Sequence, residues 1–282
     1  MVRARFLCGI VLLFATSGAR AEGIAYAFDL RGDDNLFSFP ANDPTSQTQI
    51  GPIAPSVGYA TFGMDFNTAG TTLYAINHEP GALEVGTVDI NTGVYTMSAP
   101  IATPAPNETG LSVDPTDDSL YLSTGTSLYT LNPGDGATAL VGNFSGMTPG
   151  GLTIGTVIDI AIDNSGQMYA HDISTDSLWS VNKATGAATF VGGSGLAGNF
   201  AQGMDFDPTS NLLYAAIYVS GGTGSYGTWN TSTGAFNQIL PLGSFPDPAG
   251  ANGRELEMAI RVPEPASASL LALAGLMLLR RR

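Results

Sequence analysis

Two histidines and a scatter of carboxylates are the residues with which this chain could do chemistry. His78 is followed by Glu79 and His171 by Asp172. Each imidazole therefore has a carboxylate beside it in sequence, the minimum for general acid-base work if the partners converge on a substrate. Asp65 and Asp205 stand at matching places in two similar phrases, GMDFNTAGTT and GMDFDPTSNL. They would face a polar channel or hold a cation if those segments meet around an axis. Asp114, Asp117 and Asp118, with Asp205 and Asp207, offer the oxygen ligands calcium takes, but the twelve-residue alternation of a calcium loop is absent. No HExxH zinc pair, GxSxG nucleophile elbow or phosphate loop occurs, so no metal and no cofactor is expected.

The elements that must position these residues repeat along the chain. One phrase occurs five times, as IAYAFD, TLYAIN, SLYLST, QMYAHD and LLYAAI, centred on Tyr26, Tyr74, Tyr121, Tyr169 and Tyr214. The tyrosines are 48, 47, 48 and 45 residues apart, the near-constant period of a repeat architecture. A short apolar strand and a turn precede each of the last four. Asp114-Pro115 and Asp207-Pro208 end two of these strands, because proline cannot continue a ladder. A third and a fourth strand follow, clearest in LYTLNPGDGATALVG and LWSVNKATGAATFVG. Each unit reads as four antiparallel strands joined by hairpins. Against this period the histidines are not equivalent: His78 lies four residues after Tyr74, and His171 two after Tyr169. A histidine beside an acid, without catalytic work, is the plainer reading of both.

A four-stranded sheet with both faces apolar must be covered on both, and packing the sheets face to face around an axis does this while leaving short outer edges. The expected fold is all-β, a five-bladed β-propeller of four-stranded antiparallel blades over residues 22–260. A β-sandwich pair or another repeat stack is the alternative. The first unit reaches its tyrosine strand without an inner strand before it, and ELEMAI at residues 255 to 260 is an apolar strand with no tyrosine partner after it. With Ile260 in the place of Phe66, Val113, Ile162 and Phe206, the C-terminal strand completes the first blade and closes the ring. The inner strands then carry Asp65, Ser112, Ala161, Asp205 and Ala259 at one shared position. Trp179 and Trp229, read as equivalent third-strand positions with Phe37 and Tyr129, mark an aromatic stripe between blades rather than a sugar platform.

Both ends read as addresses. Residues 1–21 place Arg3 and Arg5 before an apolar run and finish with small residues, a signal peptide with cleavage expected after Ala21. Cys8, the sole cysteine, lies within it, so the mature body is expected to have no disulfide and no thiol chemistry. From Glu22 to Arg261 there are 23 acidic against four basic residues, a balance that repels nucleic acid and anionic lipid.

The repeats LYTLNPGDGATALVG, LWSVNKATGAATFVG and GMDFDPTSNLLY resemble those of a bacterial secreted domain family of unknown function, numbered 4394, which implies a propeller-like extracellular module and supplies no catalytic residues. The tail, residues 261–282, resembles the PEP-CTERM sorting signal of Gram-negative bacteria. It has Val262, Pro263, Glu264 and Pro265, then an apolar stretch, then Arg280, Arg281 and Arg282. That resemblance implies export, processing by a dedicated C-terminal sorting enzyme, a transient membrane anchor, and association with the cell surface and exopolysaccharide. The arginines favour the cytoplasmic side, in keeping with it. Two function classes follow. The first is an exported structural or binding module, meeting polysaccharide or surface proteins and with no nucleic acid partner. The alternative is a carbohydrate-active enzyme, hydrolase or lyase, using paired carboxylates at the channel, for which Asp65, Asp205, His78, Glu79, His171 and Asp172 are the candidates.

Overall fold

The computed structural model describes residues 22–29, 35–53, 63–79, 82–101, 108–199, 202–219, 223–246 and 255–262. The expected leader and the sorting stretch from Pro263 onward lie outside them. The first blade holds β1 (Ile24–Asp29), β2 (Asn35–Pro40) and β3 (Thr48–Pro52). The second holds β4 (Met64–Phe66), β5 (Leu73–Glu79), β6 (Ala82–Val88) and β7 (Tyr95–Pro100). The third runs through β8 (Gly110–Val113), β9 (Leu120–Ser123), β10 (Ser127–Leu131) and β11 (Thr138–Asn143). The fourth is β12 (Val157–Ile162), β13 (Met168–Asp172), β14 (Ser177–Val181) and β15 (Ala188–Gly193). The fifth is β16 (Gly203–Phe206), β17 (Leu213–Val219), β18 (Thr223–Trp229) and β19 (Phe236–Pro241). The last strand, β20 (Leu256–Arg261), pairs antiparallel with β1 and makes the first blade four-stranded.

Five antiparallel sheets in a ring confirm the propeller and its closure by the C-terminal strand. The innermost strands β20, β4, β8, β12 and β16 pack on one another in cyclic order. The register matches the sequence alignment: Ala259, Asp65, Ser112, Ala161 and Asp205 lie opposite Tyr26, Tyr74, Tyr121, Tyr169 and Tyr214. β20 runs one residue further than ELEMAI, so Arg261 belongs to the blade, opposite Ile24.

Among the described residues the buried apolar side chains do not form a single core. Five apolar clusters lie one in each seam between neighbouring blades, so each repeat is stable only against its neighbours. Tyr26 and Phe66 meet edge to face across the first seam, and Tyr169 and Phe206 meet at a tilt of 49° across the fourth. Trp179 and Trp229 both pack into seams, but they are not equivalent. Trp179 opposes Ala170, one residue after the repeat tyrosine, whereas Trp229 opposes Leu213, one before it. The longer β17–β18 hairpin moves Trp229 by two positions, which leaves it on the same face of its strand.

The recurring TG and VG phrases have a steric cause. The outer strand of one blade runs against the outer turn of the next. A Cβ on Gly142 would meet the Thr185 carbonyl, and one on Gly192 the Thr233 carbonyl. The turn glycines Gly186 and Gly234 have φ of 76° and 70°, which other residues adopt at a cost. The closing seam lacks both phrases and is built differently. Phe39, Tyr226 and Phe245 pack edge to face, Leu242 joins them, and the Tyr226 hydroxyl donates to the Ala41 carbonyl at 2.8 Å.

Candidate functional site

The axis of the ring is occupied by carboxylates, and they hold it together. An innermost strand has one edge paired within its blade and the other turned to the axis, where its N–H groups need acceptors. Asp65 Oδ1 accepts from Phe66 N at 2.6 Å, and its Oδ2 accepts from Val113 N at 2.7 Å and Ser112 Oγ at 3.3 Å in the next blade. Asp205 does the same between the fifth and first blades, with Oδ1 on Phe206 N at 2.7 Å and Oδ2 on Ile260 N at 2.5 Å.

Two further acids complete the set. Asp159 accepts from Ile160 N at 2.8 Å and from the backbone of Met204 in the next blade. Glu257 accepts from the backbones of Gly63 and Met64. Four of the five seams are thus crossed by a carboxylate, and at the seam between the third and fourth blades the shared position is Ser112. Burial raises the proton affinity of all four acids. Asp65 is pushed up to about 7, and Asp159, Asp205 and Glu257 are also well above the ordinary carboxylate range, with repulsion between the acids adding to the effect of burial.

Asp159 and Glu257 escaped the sequence reading because they stand two residues before the shared position. A signal was present. Where the shared residue is Asp or Ser, the earlier one is glycine, at Gly63, Gly110 and Gly203; where the shared residue is Ala161 or Ala259, the earlier one is an acid. A Cβ at Gly110 would run into Asp159, and one at Gly203 would come 2.6 Å from Met258 N. The strands approach too closely for a side chain at both positions.

Each histidine meets a residue of the next blade. Successive residues of a strand point to opposite faces. His171 turns to the Trp229 ring of the next blade, 5.2 Å between centroids, fully buried with its pKa brought down to about 4 by burial. Asp172 organises the loops before β12 and after β13, accepting from Thr156 N at 2.7 Å and Thr175 Oγ1 at 2.6 Å. His78 Nδ1 lies 2.7 Å from Oε1 of Glu108, a buried acid near the start of the next blade whose pKa burial raises to about 7. Glu79, the expected partner, is the last residue of β5. The two histidines lie in different seams and do not meet.

The Asp-rich turns are closed by their own neighbours. Asp114 accepts from Thr116 and pairs with Lys183, and Asp118 accepts from Thr68 N at 2.8 Å. Among the described residues no three His, Cys, Asp or Glu side chains are arranged to hold a metal ion.

At the end of the axis where the innermost strands finish, the ring opens into a cavity of about 290 Å³ with residues of all five blades in its wall. Phe66, Val113, Ile162, Phe206 and Ile260 supply the apolar surface, one from each blade, and they are the five residues the alignment placed together. The turns Asn67 to Gly70, Pro115, Asn164 and Pro208 form the rim. The rim is tied across blades: Asn164 Nδ2 donates to the Pro208 carbonyl at 2.9 Å, and Arg261 Nη1 to the Gly70 carbonyl at 3.1 Å. Asp65 and Arg261 are the charged residues of the wall. Asp65 is spent on the seam, so no opposed pair of free carboxylates among the described residues faces the cavity.

No family model matches the chain, and no curated protein matches it. Solved structures do. A protein of unknown function from Bacteroides thetaiotaomicron superposes with a TM-score of 0.51 at 15% identity, over 67% of this chain and 52% of that one, so the match spans about half of the Bacteroides protein. A chain of a nidogen/laminin complex superposes with a TM-score of 0.53 at 11% identity, over 84% of this chain and 98% of that one. At such identities the likeness is one of fold.

Proposed function

We propose that this chain is an exported module of the cell surface or extracellular space that binds polysaccharide or a surface protein at the mouth of its propeller channel and does not catalyse. One observation carries the reading: in the cavity wall to which each blade contributes an apolar residue, the acid has both oxygens engaged by the backbone or hydroxyl of its own ring. A glycoside hydrolase needs two carboxyl groups about 5 to 10 Å apart with the sugar between them. Here the axial acids are acceptors in seams, held by the N–H groups of neighbouring strands.

The two chain ends supply the export half of the proposal. The charged and apolar leader would start translocation, and the terminal arginines would hold the apolar stretch before them in the membrane until the segment at Pro263-Glu264-Pro265 is cut. In a host with a C-terminal sorting enzyme, fractionation and intact-mass measurement should find a form shortened near residue 265 outside the inner membrane, with polysaccharide retained on it. In a host without that enzyme, the full-length form should partition with membranes. A soluble precursor with its tail intact in the first host would contradict the export reading.

A further inference from the structure

We propose that the channel mouth is a carboxylate site with Arg261 as its cationic donor, and that its ligand is a uronic acid residue of an acidic saccharide. This rests on the binding reading above and names the class of ligand. Between Glu22 and Arg261 acids outnumber bases by 23 to four, a balance that repels polyanions at long range. A uronate would therefore be held only at an arginine without an acid of its own, although carboxylates to pair with are abundant. Lys183 pairs with one, Asp114. Arg261 pairs with none among the described residues: its contacts are the Gly70 carbonyl through Nη1 and the rings of Tyr26 and Phe66, whose centroids lie 5.3 and 5.9 Å from the guanidinium carbon. Its Nε is buried without a hydrogen-bond partner among them.

A half-buried guanidinium resting against two aromatic rings is held in place, and leaving a buried donor unmatched is costly. A carboxylate entering the cavity would meet the guanidinium at the wall and neutralise its charge. Asp65 cannot serve in its place, because Val113 N, Phe66 N and Ser112 Oγ hold its oxygens.

The cavity narrows the choice of ligand. At about 290 Å³ it lies at the lower end of the roughly 300 to 1,000 Å³ typical of small-molecule sites, which suits one ring rather than a chain laid through it. Phe66 and Phe206 offer apolar walls to the C–H face of a sugar, while the rim of Asn67, Thr68 and Asn164 is polar. A peptide terminus also carries a carboxylate, but a peptide that adds as a strand needs a free sheet edge. The strand edges turned to the axis here are covered by the carboxylates of the preceding blades at four of the five seams.

The test is calorimetric titration of the full-length chain in mild detergent with galacturonate oligosaccharides, with galactose oligosaccharides of equal length in parallel. Binding of the uronides but not of the neutral sugars is expected, with affinity at least about tenfold weaker in Arg261→Gln and partly kept in Arg261→Lys, since one well-placed charged hydrogen bond is worth about 1.5 to 3 kcal/mol. Ala69→Trp, on an exposed rim residue, should block binding while leaving Arg261 and the seam untouched. Unchanged uronide affinity in either variant would overturn the assignment, as would preference for a short peptide with a free C-terminal carboxylate. Binding of neutral sugars alone would overturn the uronate and leave the binding module standing. Failure of every saccharide and peptide to bind would remove the uronate and, with it, the polysaccharide reading of the channel mouth.

Discussion

Deleting residues 255 to 260 from the full chain is expected to abolish cooperative unfolding of the propeller rather than shift it. β20 buries Leu256, Met258, Ala259 and Ile260 almost completely, in two different seams. Loss of three large apolar side chains from a packed interior costs roughly 2 to 5 kcal/mol each. The sum approaches the whole stability of an ordinary domain, about 5 to 15 kcal/mol. The deletion also leaves β1 with an open edge and Asp205 without the Ile260 amide it accepts from. A graded control is Ile260→Ala, expected to lose roughly 2 to 5 kcal/mol while still unfolding in one step. Near-ultraviolet circular dichroism on heating reads both. A deletion variant that melts like the parent chain would mean that the ring does not need this strand.

Stability is expected to fall as pH rises from about 4.5 to 8, the reverse of the usual acid sensitivity of proteins held by ionised carboxylates. A group whose pKa is higher in the folded chain binds more protons there than in the unfolded chain. Its contribution is complete below the unfolded value, near 4, and is lost as pH climbs through the folded value, about 7 for Asp65 and Glu108. Asp159, Asp205 and Glu257 act in the same direction. His171 opposes them: its pKa is lowered to about 4, so it withdraws stability as pH falls below about 6.5. A tenfold difference in proton affinity between the folded and unfolded chain corresponds to about 1.4 kcal/mol, and 1 kcal/mol moves the midpoint of a domain this size by roughly 2 to 4 °C. A fall of at least about 5 °C between pH 5 and 8 is therefore expected.

Relief of overall negative repulsion would give the same sign, and Asp65→Asn and Asp205→Asn separate the two causes. They remove one axial titration each and should flatten the slope, whereas substitution of an exposed acid such as Asp117 should not. A midpoint that rises with pH, or a slope indifferent to both axial variants, would contradict the reading of the axis.

The ring was legible because five tyrosines keep a period and bring their flanks with them. That period fixed the register, which put Asp65 and Asp205 on the innermost strands and Ile260 in the first blade. What those acids do was not legible. The sequence places a side chain on a strand, but the amide it accepts from belongs to another repeat, and the seam ties alternate between two positions two residues apart. Hence Asp159 and Glu257 went unread, though the complementary glycines Gly63, Gly110 and Gly203 carry the trace. The contacts of His78 and His171 with Glu108 and Trp229 were not legible either, because both partners lie in the next blade and no strand pattern names a partner across a seam. Arg261 read as the start of the tail, and only its place at the end of β20 brings it into the channel wall.

The most direct measurement is the release of sugar ends during saturating binding to an acidic polysaccharide, followed by both reducing-end chemistry and the absorbance of unsaturated uronates. A module whose axial acids serve its seams binds to a fixed stoichiometry, and the number of ends stays constant for as long as the complex is held. A steady release of ends in proportion to protein concentration, abolished by Asp65→Asn in a variant that still binds, would show that an axial carboxylate does chemistry after all.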